Sequence, residues 1–135
     1  MRLKKAVARL IELERVCRVA TSGPSGMPHV VAVCHAVLDG KIYFASGKNG
    51  RKVLNLKANP QIAVTVDLYA EAWAHLKGVM VQGTTTLIEK GPRFRKVRAL
   101  LYRKYEQYAE DATIGESDSV IVEITPTGVF SWGMD

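Results

Sequence analysis

The chain has 135 residues, enough for one compact core and too few for two ordinary domains. An apolar content of 47% argues against disorder, while no run of 18 apolar residues occurs to form a transmembrane helix, so no membrane partner is expected. Nineteen Lys and Arg against 13 Asp and Glu give a net charge of +6, which suits an anionic ligand without saying which one. All 19 cations precede Glu106, and seven of the 13 acids lie in the last 31 residues.

In chain order, Leu3, Val7, Leu10 and Ile11 stand at helical spacing among Lys and Arg, so an amphipathic helix opens the chain. Glu12 and Glu14 interrupt the apolar core that a signal peptide needs, and a cytoplasmic location is expected. Arg15–Thr21 reads as a strand ended by the turn cluster Ser22–Gly26. Pro28–Leu38 reads as one long β-branched strand, with Asp39-Gly40 as a tight hairpin turn into Lys41–Ala45. A short helix around Val53–Leu56 stops at Asn59-Pro60. Strands follow at Gln61–Leu68 and Gly78–Ile88, then a basic helix from Gly91-Pro92 to about Tyr108 and an acidic loop, Glu110–Asp118. Val120–Ile124 and Val129–Trp132 read as a closing hairpin around Thr125–Gly128. About seven strands with helices at the margins predict a mainly β fold, an antiparallel barrel spanning 1–135 as a single domain.

Catalytic motifs are absent. Cys17 and Cys34 lack metal-site spacing and read as reduced core thiols. His29, His35 and His75 belong to no nucleophile or zinc pattern, and two histidines six apart on one strand stand roughly 20 Å apart, too far for one ion. No metal is expected. The strongest local signal is the segment Ile42–Lys52, IYFASGKNGRK, running directly into a helix. Small residues let a ligand approach the backbone, and Ser46, Lys48, Arg51 and Lys52 gather where a helix start offers free N–H groups. That pattern suits a phosphate, and it suits a solvated basic loop equally well. The second basic run, Lys90–Lys104, has an apolar face in Leu100, Leu101 and Tyr105, and reads as a solvated amphipathic helix rather than a nucleic-acid surface. Trp132 would fit a subunit interface, a flat ligand or simple core packing.

Taken in order, ATSGPSGMPHVV, DGKIYFAS, GRKVLNLKANPQIAV, VMVQGTTTLI and VFSWG resemble the pyridoxamine 5′-phosphate oxidase-like, FMN-binding split-barrel superfamily over roughly Arg15–Trp132. The resemblance implies an antiparallel split β-barrel with flanking helices, paired as a homodimer with FMN at the interface. It also implies a flavin-dependent oxidoreductase acting on a small organic substrate. By position, Arg51 and Lys52 match the family's phosphate-binding pair, with Lys48 beside them, and Ala45 and Ser46 match small residues ending the preceding strand. His29, Val30, Val31, Ala32 and Val33 match the strand whose backbone lies against the flavin ring, and Gln82 and Trp132 match positions that reach the cofactor from the dimer partner. Where the oxidase itself has a phosphate-binding Arg this chain has His29, its Ser before Arg-Lys is Gly50, and no Arg- and His-rich segment follows VFSWG. These departures point away from pyridoxamine-phosphate oxidation and toward small branches, several of which use the deazaflavin coenzyme F-420. The other readings are a flavin- or haem-binding protein without catalysis, or a basic nucleic-acid-binding protein.

Overall fold

The computed structural model describes residues 2–134. Helix α1 (Lys5–Leu13) buries Val7, Leu10 and Ile11 and turns its cations outward. The strands are β1 (Cys17–Ser22), β2 (Pro28–Val33), β3 (Ala36–Leu38), β4 (Lys41–Gly47), β5 (Gln61–Leu68), β6 (Lys77–Ile88) and β7 (Ser119–Trp132). Between them stand α2 (Arg51–Ala58), a single 3₁₀ turn at Trp73–His75, α3 (Pro92–Lys104) and α4 (Gln107–Asp111). The strands form one sheet in the order β2-β1-β5-β6-β7-β4-β3, antiparallel at every pairing. Asp39 and Gly40 both adopt positive φ, as the two-residue turn joining β3 to β4 requires.

Residues from β1, β5 and β6 share one core with Ile42 and Phe44 of β4, Val122 and Ile124 of β7, and α1. Strands distant in the sheet order thus meet, which curls the sheet into a half-barrel closed by α1. On the reverse side of β4 and β7, Tyr43 and Ile121 form a second core with Phe94, Val97 and Leu101 of α3. Buried on both faces, β4 and β7 carry continuous apolar runs, Ile42-Tyr43-Phe44 and Val120-Ile121-Val122. Over β1, β5 and β6 no helix of the described residues covers the reverse face. There Val30, Ala20, Ala63, Gln82 and Gly128 stand in one cross-strand row, and Ala32, Arg18, Thr65, Met80 and Phe130 in the next.

Three stretches differ from their sequence-based assignment. Pro28–Leu38 is two strands at opposite edges of the sheet, broken at Cys34-His35. The break is stabilised by tertiary partners: His35 N–H donates to the Tyr105 hydroxyl (3.1 Å), that hydroxyl donates to Arg15 O (2.9 Å), and His35 Nε2 bonds Ile11 O (2.6 Å). Next along, Val37 N–H donates to Glu12 Oε2 (2.8 Å), occupying an edge-strand donor. Helix α3 ends at Lys104 with Tyr105 extended, before the expected end near Tyr108, and the chain resumes as the short α4, whose last two residues fall where the acidic loop was expected. The closing hairpin is instead one 14-residue strand. Thr125–Gly128 does not reverse the chain but forms a bulge, with Gln82 opposite Gly128 and Gly83 opposite Pro126. A Cβ on Gly83 would lie 2.6 Å from Thr125 O, so the strands approach this closely only over glycine. Proline is tolerated there because Pro126 sits at the bulge, where the ladder is locally disrupted and Thr127 is left unpaired.

His35 is wholly buried, and burial pushes its pKa down to about 4, against the bond to Ile11 O and with Lys104 acting in the same downward direction. Protonation would add an N–H at Nδ1, which has no partner. The unfolded imidazole titrates near 6.5, so on acidification it takes up its proton before the folded one does. Stability from this group is therefore complete above about pH 6.5 and lost as pH falls toward about 4. Between pH 7 and pH 5 the loss is about 2 kcal/mol. Urea unfolding at the two pH values should show that slope in the wild type and a smaller one in His35→Gln; equal slopes would disprove the assignment.

Candidate functional site

Strand β4 leaves the core after Phe44, and Ala45 and Ser46 are half-buried where it ends. The chain then turns into α2, with Lys48 N–H bonded to Asp118 O (3.0 Å) and Gly50 N–H to Gly47 O (3.2 Å). Ser46 Oγ sits beside this turn, 3.4 Å from where a Cβ on Gly50 would lie. No side chain caps α2 and no acid occupies its first turn. Its first hydrogen bond is Leu54 N–H to Gly50 O (3.0 Å), which leaves the amides of Arg51, Lys52 and Val53 free at the positive end of the helix. Among the described residues, Lys41, Arg93 and Lys104 each lie within 4.0 Å of a carboxylate, whereas Lys48, Arg51 and Lys52 do not. Cationic side chains thus accumulate where the backbone is already positive.

Beside this helix start is a hollow of about 480 Å³ between the Gly23–Met27 loop, the start of β2 and α2. Arg51 and Asn55, one turn apart on the same face of α2, reach it from one side and His29 from the other. Asn55 is buried and donates through Nδ2 to Thr21 Oγ1 (3.1 Å). A Cβ on Gly23 would fall 2.6 Å from Asn55 Oδ1, so glycine lets the loop close over it. His29 Nδ1 is buried without a hydrogen-bond partner. A second hollow of about 460 Å³ lies on the uncovered face, over Ala20, Ala63, Gln82 and Thr84, and shares Pro28 with the first. Alanines give it depth, and its polar groups are amides and hydroxyls.

The structure therefore brings Arg51 and His29 to one hollow; Lys52 follows Arg51 on α2, and Ala45, Ser46 and Lys48 lie on the strand end and turn before it, none of them among the residues that line the hollow. Along β2 the exposure alternates: Val30 and Ala32 face out, while Val31 and Val33 pack against the core and offer a ligand only backbone. Gln82 stands in the adjoining hollow. Trp132 does not join either: it pairs with Gly78, roughly 13 Å along the ladder from Gln82. Nor does it pack into the core, since 44% of it is exposed, on the same sheet face as Phe130, at 54%. Asn55 and Thr21 carry no sequence motif; a lone amide amid Val53, Leu54 and Leu56 was the one available signal. His35 is structural, Cys17 and Cys34 are free thiols, and no metal-binding cluster occurs among the described residues. No described helix is long and apolar enough to cross a membrane. Chemically, the arrangement offers a small anion free amides and a guanidinium, and offers a flat apolar group the sheet face beyond.

Residues 3–133 match the model of the pyridoxamine 5′-phosphate oxidase family. The chain belongs to that family. No curated protein matches it. Among solved structures, a conserved hypothetical protein from Mycobacterium tuberculosis is similar at 20% identity over 99% of this chain and 91% of that one, with a TM-score of 0.80. HutZ, the haem storage protein from Vibrio cholerae, is similar at 17% identity over 96% and 94%, with a TM-score of 0.79. An F420 reductase is similar at 23% identity over 95% and 98%, with a TM-score of 0.73. At these identities the likeness is one of fold, and the half-barrel with its flanking helices is that of the split-barrel neighbours.

The Trp132 indole rests on Gly78, where a Cβ would overlap the ring. Gly78→Ala should therefore displace the indole and shift tryptophan emission, read in a Trp73→Phe background. Gly128→Ala, whose Cβ would meet Phe130 at an ordinary 3.4 Å, should leave emission unchanged. Identical spectra for the two variants would refute this packing.

Proposed function

We propose that the protein binds FMN and acts as a flavin-dependent oxidoreductase on a small organic substrate, with two cofactor sites at the interface of a homodimer. The observation that carries this reading is the uncapped start of α2, where Lys48, Arg51 and Lys52 stand without carboxylate partners beside the hollow that His29 and Arg51 line. Free amides, a forked guanidinium and an ammonium suit a phosphate monoester. Bound flavin supplies the hydride chemistry itself, so the absence of a triad or a carboxylate pair fits the assignment. The chain's part is to hold the phosphate, seat the ring against the backbone of His29–Val33 and exclude water. Family membership supports a flavin, and the departures at His29 and Gly50 favour a substrate other than pyridoxamine phosphate.

The homodimer rests on the uncovered face. Val30, Phe130 and Trp132 expose apolar surface on a sheet side that no helix of this chain covers, and a second copy would bury it. Trp132, outside both hollows within one chain, would then approach the partner's cofactor together with Gln82. The deazaflavin F-420 is the second reading, favoured by the neutral second hollow, which shares Pro28 with the first and lies on the uncovered face. Two free cysteines suit the cytoplasm.

The absorption spectrum of the purified protein, with mass identification of whatever denaturation releases, tests the assignment. FMN supports it, F-420 supports the second reading, and a haem Soret band or salt-steep nucleic-acid binding by colourless protein refutes both. Arg51→Ala with Lys52→Ala should weaken FMN binding on the order of a hundredfold or more, as two charged hydrogen bonds disappear, with unchanged circular dichroism. Unchanged affinity would overturn the cradle. Phe130→Asp should give monomers in sedimentation and lose cofactor with them; a dimeric Phe130→Asp variant would place the interface elsewhere.

A further inference from the structure

We propose that a third hollow, where β2 ends, binds a small apolar zwitterion, an amino acid with a hydrophobic side chain, held by its charges between Arg15 and Asp111. The hollow measures about 430 Å³ and shares no lining residue with the one beside α2 or the one on the sheet face. Small-ligand pockets run from about 300 to about 1,000 Å³, so its size suits such a molecule. It opens where the chain leaves the sheet at Cys34-His35, roughly 17 Å of extended chain from His29. Tyr105 fixes that break, since its hydroxyl accepts from His35 N–H and donates to Arg15 O. The short α4 then forms the far wall with Tyr108, Asp111 and the following Ala112.

Two features of the lining name the ligand. The floor is apolar: the Tyr105 and Tyr108 rings meet edge to face, 5.9 Å between centroids, and Val16 and Cys34 lie beside this corner. Val16 is 39% exposed, so apolar surface stays open to water that a hydrophobic side chain would displace. The charges are opposite and unspent. Arg15 and Asp111 both line the hollow, and among the described residues neither has an opposite charge within 4.0 Å. Arg15 is held on the face of the Tyr105 ring, 4.5 Å from its centroid, rather than reaching across to Asp111. A simple anion would meet repulsion from Asp111, and a simple cation repulsion from Arg15. A ligand carrying a carboxylate and an ammonium satisfies both, with its apolar body over the aromatic corner.

Two-dimensional amide NMR of the full-length protein, titrated at about pH 7, tests this, because both poles of an amino acid are charged there. The probes are L-phenylalanine, 3-phenylpropionate, which lacks the ammonium, and 2-phenylethylamine, which lacks the carboxylate. L-Phenylalanine should shift the amides of Val16, Cys34, Tyr108 and Ala112 and bind about tenfold more tightly than either analogue, as each analogue loses one charged contact. The preference over 2-phenylethylamine should vanish in Arg15→Gln, and the preference over 3-phenylpropionate in Asp111→Asn. Ala112 is exposed, so Ala112→Trp should fill the hollow without disturbing the fold and abolish the shifts. No shift of these amides with L-phenylalanine or L-leucine at about 10 mM overturns the proposal. Analogues that bind as tightly as the amino acid, or preferences that survive in both charge variants, overturn it equally. The absorption spectrum of the same sample reports flavin separately, so a colourless protein that binds the amino acid sinks the flavin reading and leaves this site standing.

Discussion

One buried hydrogen bond sets the geometry of the site: Asn55 Nδ2 to Thr21 Oγ1, 3.1 Å. Both residues are almost wholly enclosed, so neither polar group has water to fall back on. The bond ties α2 to β1 and fixes the rotation of the helix about its axis. Arg51, one turn earlier on the same face, must then point where Asn55 points, toward the hollow that His29 closes. The chain reaches this arrangement by a crossover, since β4 ends near one edge of the sheet and β5 lies beside β1 near the other. A helix in that connection necessarily has its start where strand β4 runs out and its body against β1. Removing either partner would leave a buried amide or hydroxyl unpaired and free α2 to rotate.

The sheet divides its burial unevenly, and this separates the scaffold from the site. Strands β4 and β7 lie between two cores, with Tyr43 and Phe44 both wholly enclosed. Tyr43 also donates to Glu123 Oε2 at 2.8 Å, and Lys41 and Arg93 surround the same carboxylate, so the polar groups there are matched. Strands β1, β5 and β6 have one core face only. Their other face carries Ala20, Ala63 and Gln82, residues too small or too polar to form a core of their own. What remains exposed is a shallow floor with aromatic residues at its far end, a surface complete only when something lies on it. A cluster of like charges at its rim destabilises the free chain, and any anion that binds the folded state alone offsets that cost by mass action.

Much of this was legible in the sequence, and the exceptions share a cause. The helix over Leu3–Ile11, the Asp39-Gly40 turn and the residues at the start of α2 follow from local pattern, because periodicity and turn chemistry determine them locally. The break at Cys34-His35 does not, because PHVVAVCHAVL keeps its β character across it and the interruption comes from Tyr105, 70 residues away. Thr125-Pro126-Thr127-Gly128 has turn composition, yet the long partner β6 continues past it and makes it a bulge. Asn55 was invisible for the same reason: a polar residue in a short helix reads as surface until Thr21 is brought against it. His29 could be placed on its strand from sequence, while the burial of its Nδ1 depends on what packs against it.

The excess of basic residues also resolves into two uses that composition treats alike. On α3, Arg93 lies near Asp39 and Glu123, Lys104 lies 4.0 Å from Glu12, and Arg98 donates to Ile114 O at 3.2 Å. Arg98 and Lys104 also stand over the Phe94 and Tyr105 rings. These contacts stitch α3 to its neighbours, although Lys104 Nζ is buried without a hydrogen-bond partner, so these three cations say little about a ligand. Lys48, Arg51 and Lys52 have no such partners, although Asp118 is near enough for its backbone oxygen to accept from Lys48 N–H. A carboxylate within the chain's reach that leaves these side chains unpaired means that the folded protein keeps its positive potential at this point. The start of α2 is therefore a place where unpaired cations meet free amides, although among the described residues Arg95, Lys96 and Arg103 on α3 are also without a carboxylate within 4.0 Å.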